Sequence, residues 1–183
     1  MPDKFCKFLG ECGSCTLDMP YEEQVKFKTE FIRREFEPFY SGEFEFFASQ
    51  SAAYRTRAEF GVWHDIWHSA VDLAYTMHGA KTKRIMIDEC PKVAAPIANL
   101  MPRLLEALAK NQILKERLFG AEFISCASGI LATMLYHKRL GEAEQSEIES
   151  LAREFAGHRV TIAVRAKGQK LLSGELNLQD SLN

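Results

Sequence analysis

The sequence predicts an α+β fold: a mostly antiparallel sheet built from hairpins, with helices packed on it. Two observations carry this. Apolar and β-prone residues alternate along several short stretches, most clearly Tyr54, Thr56, Ala58, Phe60 and Val62, and turn residues join such stretches in pairs. Three longer stretches with helical periodicity are interleaved with them, the pattern of strands and helices sharing one core. The chain has 183 residues, 46% of them hydrophobic, enough for one compact core with or without an appendage.

The first helix is expected in "MPYEEQVKFKTEFIRREFEPF". Pro20 suits a first turn, Asp18 is a possible cap and Pro38 stops it. Tyr21, Val25, Ile32 and Phe36 fall near one face, which predicts a helix packed on the core. A strand is expected over about 54–64. Two more, "AVDLAYTMHG" and "KTKRIMID", meet at a turn formed by His78, Gly79 and Ala80. Residues 92–111 read as a helix whose prolines, Pro96 and Pro102, imply a late start or a kink. "AEFISCAS" and "GILATMLYHKRL" form a second hairpin turning near Gly129. A helix closing at Gly157 follows, and "RVTIAVRAKGQKLLSGELNL" forms a third hairpin turning at Lys167 and Gly168. The organisation expected is a cysteine-bearing segment with its helix over 1–42 and a central α+β domain over 43–183.

Lys plus Arg, 23, nearly balance Asp plus Glu, 25, so total charge demands neither a nucleic-acid nor a membrane partner, and any RNA-facing patch must be local. The start carries no apolar run long enough for a signal peptide, and no stretch approaches the ~20 apolar residues of a membrane span. A cytoplasmic protein is expected, with no membrane and no DNA partner. No Gly-rich loop joins a strand to a helix as a nucleotide or S-adenosylmethionine site requires, and no Ser-His-Asp order stands out.

In the reducing cytosol, clustered cysteines more often bind metal or do redox chemistry than form bridges. Cys6, Cys12 and Cys15, three of the five cysteines, lie within "CKFLGECGSC" in the spacing C-x5-C-x2-C, with Gly10 and Gly13 supplying turns. A zinc site or an iron–sulfur cubane needs a fourth ligand. Cys90 in "DECPK", at a strand end before a proline, is the better candidate; Cys126, inside an apolar pattern, is expected to be a buried small hydrophobe. Unrelated reduced thiols are the alternative to a metal centre. His64 and His68 have zinc-like helical spacing, but the alternation before them argues strand.

These residues resemble the S-adenosylmethionine-dependent RNA (uracil-5)-methyltransferases. "CKFLGECGSC" with "DECP" is similar to the iron–sulfur segment of the ribosomal-RNA members, where three clustered cysteines and a distant Cys-Pro hold a four-iron four-sulfur cluster. "YRTRAEFGVWHD" resembles a strand of the transfer-RNA members, and "ERLFGAEF" with "TMLYHKRL" resembles their hairpin. The resemblance implies a 4Fe-4S cluster (alternatively zinc) on Cys6, Cys12, Cys15 and Cys90. It implies a transfer-RNA T arm as partner, with ribosomal RNA the alternative.

Carried over by position, Phe119 matches the aromatic that pushes into the T loop, His137 the histidine beside it, and Arg55 and Arg57 basic residues at the start of the RNA-facing strand. Extruding a uridine from a structured loop costs a few kcal/mol, and an aromatic plane can refill the gap. Lys81, Lys83, Arg84, Lys138 and Arg139 could extend the basic stripe. Gly61 departs from the pattern, standing where the transfer-RNA members carry an arginine. The catalytic half of the family, with its S-adenosylmethionine fold, nucleophilic cysteine and carboxylate base, is expected beyond residue 183, and the chain looks cut from something longer. No catalytic residue is expected within it; alone it should bind RNA weakly and catalyse nothing. A stand-alone metal-binding or interaction module is the rival reading.

Overall fold

The computed structural model describes residues 5–64, 73–81, 83–174, 176 and 178–180. His68 and the first residues of the predicted second strand lie outside them. The elements in order are α1 (Tyr21–Phe36), β1 (Arg57–His64), β2 (Leu73–His78), β3 (Arg84–Ile87), α2 (Ala95–Lys110), α3 (Gln112–Lys115), β4 (Leu118–Ser125), β5 (Ile130–Tyr136), α4 (Glu142–Ala156), β6 (Val160–Ala166) and β7 (Gln169–Ser173).

The strands form one seven-stranded sheet in the order β3-β2-β1-β4-β5-β6-β7. The three hairpins expected from the alternation are present: β2–β3, β4–β5 and β6–β7 pair antiparallel, and β1 joins β2 to β4 antiparallel on both sides. Among the strands of the described residues only the β5–β6 ladder is parallel, because α4 carries the chain back across the sheet between them. The α+β class with a mostly antiparallel sheet therefore stands.

The core lies between one face of the sheet and the helices. Helix α2 buries Ile97, Leu100, Met101, Leu104 and Leu108, a stripe at helical spacing, and α4 buries Ile148, Leu151 and Phe155. Facing them are Phe60, Tyr75 and Phe123, whose rings meet at tilted or edge-on angles with centroids 5.6–6.1 Å apart. Tyr75 donates to the Met101 carbonyl at 3.0 Å and Tyr136 to the Leu114 carbonyl at 2.6 Å, and burial pushes both phenols well above their ordinary pKa.

Helix α2 starts late, at Ala95, so Pro96 falls in its first turn; Pro102 sits inside it on an exposed position, where the carbonyl it leaves without a donor can be hydrated. Helix α1 differs from expectation. None of its residues is buried, its N-cap is Pro20 with no side-chain cap from Asp18, and Phe27, Phe31 and Phe36 are each roughly half exposed. The apolar face predicted to pack on the core does not do so within this chain. Two further expectations shift: Cys126 lies past the end of β4 in the turn and is only half-buried, and Arg55 precedes β1 rather than belonging to it.

Candidate nucleic-acid interface and cysteine site

Strand alternation leaves the second face of the sheet to Arg57, Glu59, Gly61 and Trp63 of β1, and to their cross-strand neighbours. Phe119 reaches this region through an irregularity. In the β4–β5 ladder Leu118 pairs with Tyr136 and Gly120 with Leu135, so Phe119 is the extra residue of a β-bulge. Arg117, just before it, adopts a left-handed φ of 61°, and its carbonyl accepts from the His137 backbone N–H at 3.0 Å. His64, at the end of β1, bonds through Nε2 to the Leu118 carbonyl at 2.8 Å; the carbonyl can only accept, so Nε2 carries the proton.

The bulge places the Phe119 ring flat against the His137 imidazole, centroids 3.7 Å apart and planes within 10°. Phe119 is half-buried and His137 exposed, so the pair forms a plate with one side held by the fold. Concavities flank it. One, of about 450 Å³, is lined by Phe119, His137, Arg165 and Lys167 among others. The other, about 280 Å³, runs over Gly61, Thr76, Arg84 and Gly120 beside Phe119. Gly61 and Gly120 are cross-strand partners that leave this floor bare. A Cβ at Gly61 would come within 2.5 Å of Thr76 Oγ1, so the arginine expected from the transfer-RNA pattern does not fit here without moving Thr76.

The structure thus joins Phe119 to His137, but not to the two arginines. Arg57 pairs with Ile124, five residues along β4 from Phe119, about 17 Å away at ~3.4 Å per residue. Its guanidinium is tied to Glu59 at 2.6 Å. Arg55 is held by backbone bonds to Lys92 and Ala94 at the entrance to α2, so the shared strand face expected for Arg55 and Arg57 does not exist. Lys138 is no stripe residue either: it is 16% exposed and lies between Glu116 at 2.8 Å and Glu144 at 3.0 Å.

Cations that do stand beside the plate are Arg165 and Lys167 on one concavity and Arg84 on the other; Arg165 also reaches Glu122 at 3.1 Å. Nothing local marks it in sequence, because it arrives through the parallel β5–β6 register, Leu135 opposite Arg165. His64 was equally hidden; its role depends on β1 lying beside the bulge.

The second site is at the N-terminal segment. Cys6, Cys12, Cys15 and Cys90 line one narrow, apolar-walled cavity, brought together although Cys90 lies on the far side of three strands in the chain. Gly10, at φ 91°, makes the tight turn between Cys6 and Cys12. Gly13 lets the segment approach the β2–β3 turn: its N–H donates to the His78 carbonyl at 2.9 Å, and Ala80 donates to the Glu11 carbonyl at 2.7 Å. Lys7 pairs with Asp88 at 2.7 Å. Burial pushes the Cys6 thiol up; a Phe8 backbone N–H works against this, and the thiols of Cys15, Cys90 and Cys12 add to the rise. Cys126 stands apart at the β4–β5 turn, its thiol held below the ordinary value by the Ser128 hydroxyl at 3.3 Å. Among the described residues no group of three or more His, Cys, Asp or Glu side chains is arranged to hold a metal ion. No helix among them is long and apolar enough to cross a membrane.

Comparison with known proteins gives one consistent result. The tRNA (uracil-5-)-methyltransferase family matches residues 20–183. A tRNA/tmRNA (uracil-C(5))-methyltransferase of Campylobacter concisus is 52% identical over 179 residues, covering 97% of this chain and 47% of the relative. Another, from Sulfurovum sp., is 37% identical over 181 residues, again covering 97% of this chain and 47% of the relative. The chain spans about half the length of the curated relatives it matches. Among solved structures, the tRNA (uracil-54, C5)-methyltransferase of Pyrococcus abyssi, in complex with S-adenosyl-L-homocysteine, superposes with a TM-score of 0.55. At 15% identity, covering 96% of this chain and 41% of that one, it supports the fold.

Proposed function

The chain belongs to the tRNA (uracil-5-)-methyltransferase family, and from that membership we propose that it is the RNA-recognition part of such an enzyme, reading the T arm of a transfer RNA. The observation that carries this is the Phe119–His137 plate on its bulge at the sheet surface. A flat aromatic pair held from one side can take the place of a base in a loop from which a uridine has been extruded, and Arg165 and Arg84 beside it can meet phosphates. Arg57, farther along the sheet, and Arg55, just before β1, fit contacts to the stem rather than to the loop.

Methyl transfer from S-adenosylmethionine to the T-loop uridine is proposed for the longer protein, with the N-terminal segment over 1–42 and the central domain over 43–183 serving it. The residues here do not fit that cofactor. Among the described residues, the strand-to-helix junction within the parallel pair, β5 to α4, runs His137-Lys138-Arg139-Leu140-Gly141, with one glycine rather than a Gly-rich turn, and its Gly141 N–H is taken by the Glu144 carboxylate at 2.9 Å. No catalytic step is therefore assigned to this chain.

For the cysteines, the proposed guest is a 4Fe-4S cluster on Cys6, Cys12, Cys15 and Cys90. The support is the donor set itself: four thiols on one cavity, with a backbone N–H aimed at Cys6 sulfur. The cluster would brace the segment against the β2–β3 turn and the entrance to α2.

Fluorescence anisotropy with a T-arm stem-loop at low salt tests the RNA reading. Salt-sensitive binding, weakened in Phe119→Ala and competed poorly by a ribosomal-RNA hairpin, is the expected result. Binding that is absent, or indifferent to Phe119→Ala, sinks it. Anaerobic reconstitution with iron and sulfide tests the cluster: a brown protein with matching iron and sulfide content is expected, whereas a colourless zinc protein or a folded metal-free one rejects it.

A further inference from the structure

Lys92 is 6% exposed, yet the hydrogen bonds of its Nζ go to two neutral acceptors, Ser14 Oγ at 2.7 Å and the Ser14 carbonyl at 3.2 Å. A buried ammonium needs an opposite charge, because hydrogen bonds to neutral groups do not repay the loss of water around the ion. The carboxylate on the wall of the same cavity, Glu89, does not serve: its side chain is 53% exposed and lies 3.8 Å from Lys7. The other groups on that wall able to become anionic are the thiols of Cys6, Cys12, Cys15 and Cys90. Lys92 follows Cys90 by two residues and Ser14 directly precedes Cys15, so their bond also clamps the two arms that carry the sulfurs.

We infer that Lys92 is the buried counter-charge of the four-cysteine centre, favouring its assembly and raising its reduction potential. The inference rests on the reading of these cysteines as cluster ligands. A cluster bound by four thiolates is anionic and gains one more negative charge on one-electron reduction, so a fixed cation in a low-dielectric wall stabilises the reduced form more than the oxidised one. The interaction is between Lys92 and the whole centre, and needs no direct bond from Nζ to sulfur.

The test is anaerobic reconstitution of the 183-residue chain and of Lys92→Arg, Lys92→Gln and Lys92→Met, followed by visible absorbance, iron content and a one-electron redox titration. Wild type failing to load would reject the cluster itself, and the inference with it. If wild type loads, Lys92→Gln and Lys92→Met are expected to shift the oxidised-to-reduced ratio at the wild-type midpoint at least tenfold toward oxidised, a midpoint lower by about 59 mV for a one-electron couple, while Lys92→Arg stays near wild type. Should the neutral variants fail to load while Lys92→Arg loads, the counter-charge role in assembly is supported. Neutral variants that load with an unmoved midpoint overturn the inference, and so does failure of all three variants alike, which would make size rather than charge the requirement.

Discussion

Phe119 owes its position to a local misfit. A regular ladder would alternate it into the sheet with Leu118 and Gly120 fully paired; the bulge frees it to lie on His137. The strained Arg117 backbone before it, in a region that costs an L-residue roughly 1–2 kcal/mol, and the His64 bond to Leu118 hold that irregularity in place. Phe119→Ala is expected to weaken T-arm binding by about 1–3 kcal/mol, the range for loss of one base-stacking aromatic, and to leave the melting temperature within a few degrees of wild type. His64→Ala removes a donor rather than the plate, so it should weaken binding less, with His64→Gln restoring part of the loss in the same anisotropy assay.

Element-scale packing determines which charges are available. The crossing helix α4 brings Glu144 to Lys138, and the same carboxylate caps the helix by accepting from Gly141. Glu144 is held below its ordinary value of 4.5, chiefly by the Lys138 hydrogen bond and then by the Gly141 N–H. A depressed carboxylate pKa stabilises the fold above the ordinary value and ceases to do so as pH falls through the folded one. Glu144→Gln should therefore melt earlier than wild type at pH 7, with the gap closing as the pH falls below 4.5 and through the lower folded value, as followed by circular dichroism. The same crossing delivers Arg165 to the plate. Arg165→Ala is expected to lower the slope of log affinity against log salt by about 1.

The whole molecule divides into a sheet-and-helix body with a dense core and an N-terminal stretch whose helix buries nothing within this chain. That division predicts opposite responses to similar substitutions. Phe123→Ala, in the ring cluster at 0% exposure, should cost about 3–5 kcal/mol, whereas Phe31→Ala, 44% exposed on α1, should stay within about 0.5 kcal/mol, both read by denaturant unfolding.

The sequence by itself was sufficient for the hairpins and for both long helices of the body, because period and turn residues are local properties. It located Phe119 and His137 through resemblance and not through any physical signal, since a bulge has no residue-level signature beyond its context. Tertiary structure alone decided the rest. The exposed face of α1, the ion pairs that tie up Lys138, the arrival of Arg165 and the burial of Lys92 all depend on which elements become neighbours. That is fixed by the α4 crossover and by the docking of the N-terminal segment on the β2–β3 turn, contacts between residues far apart in the chain whose cost and reward no local pattern records.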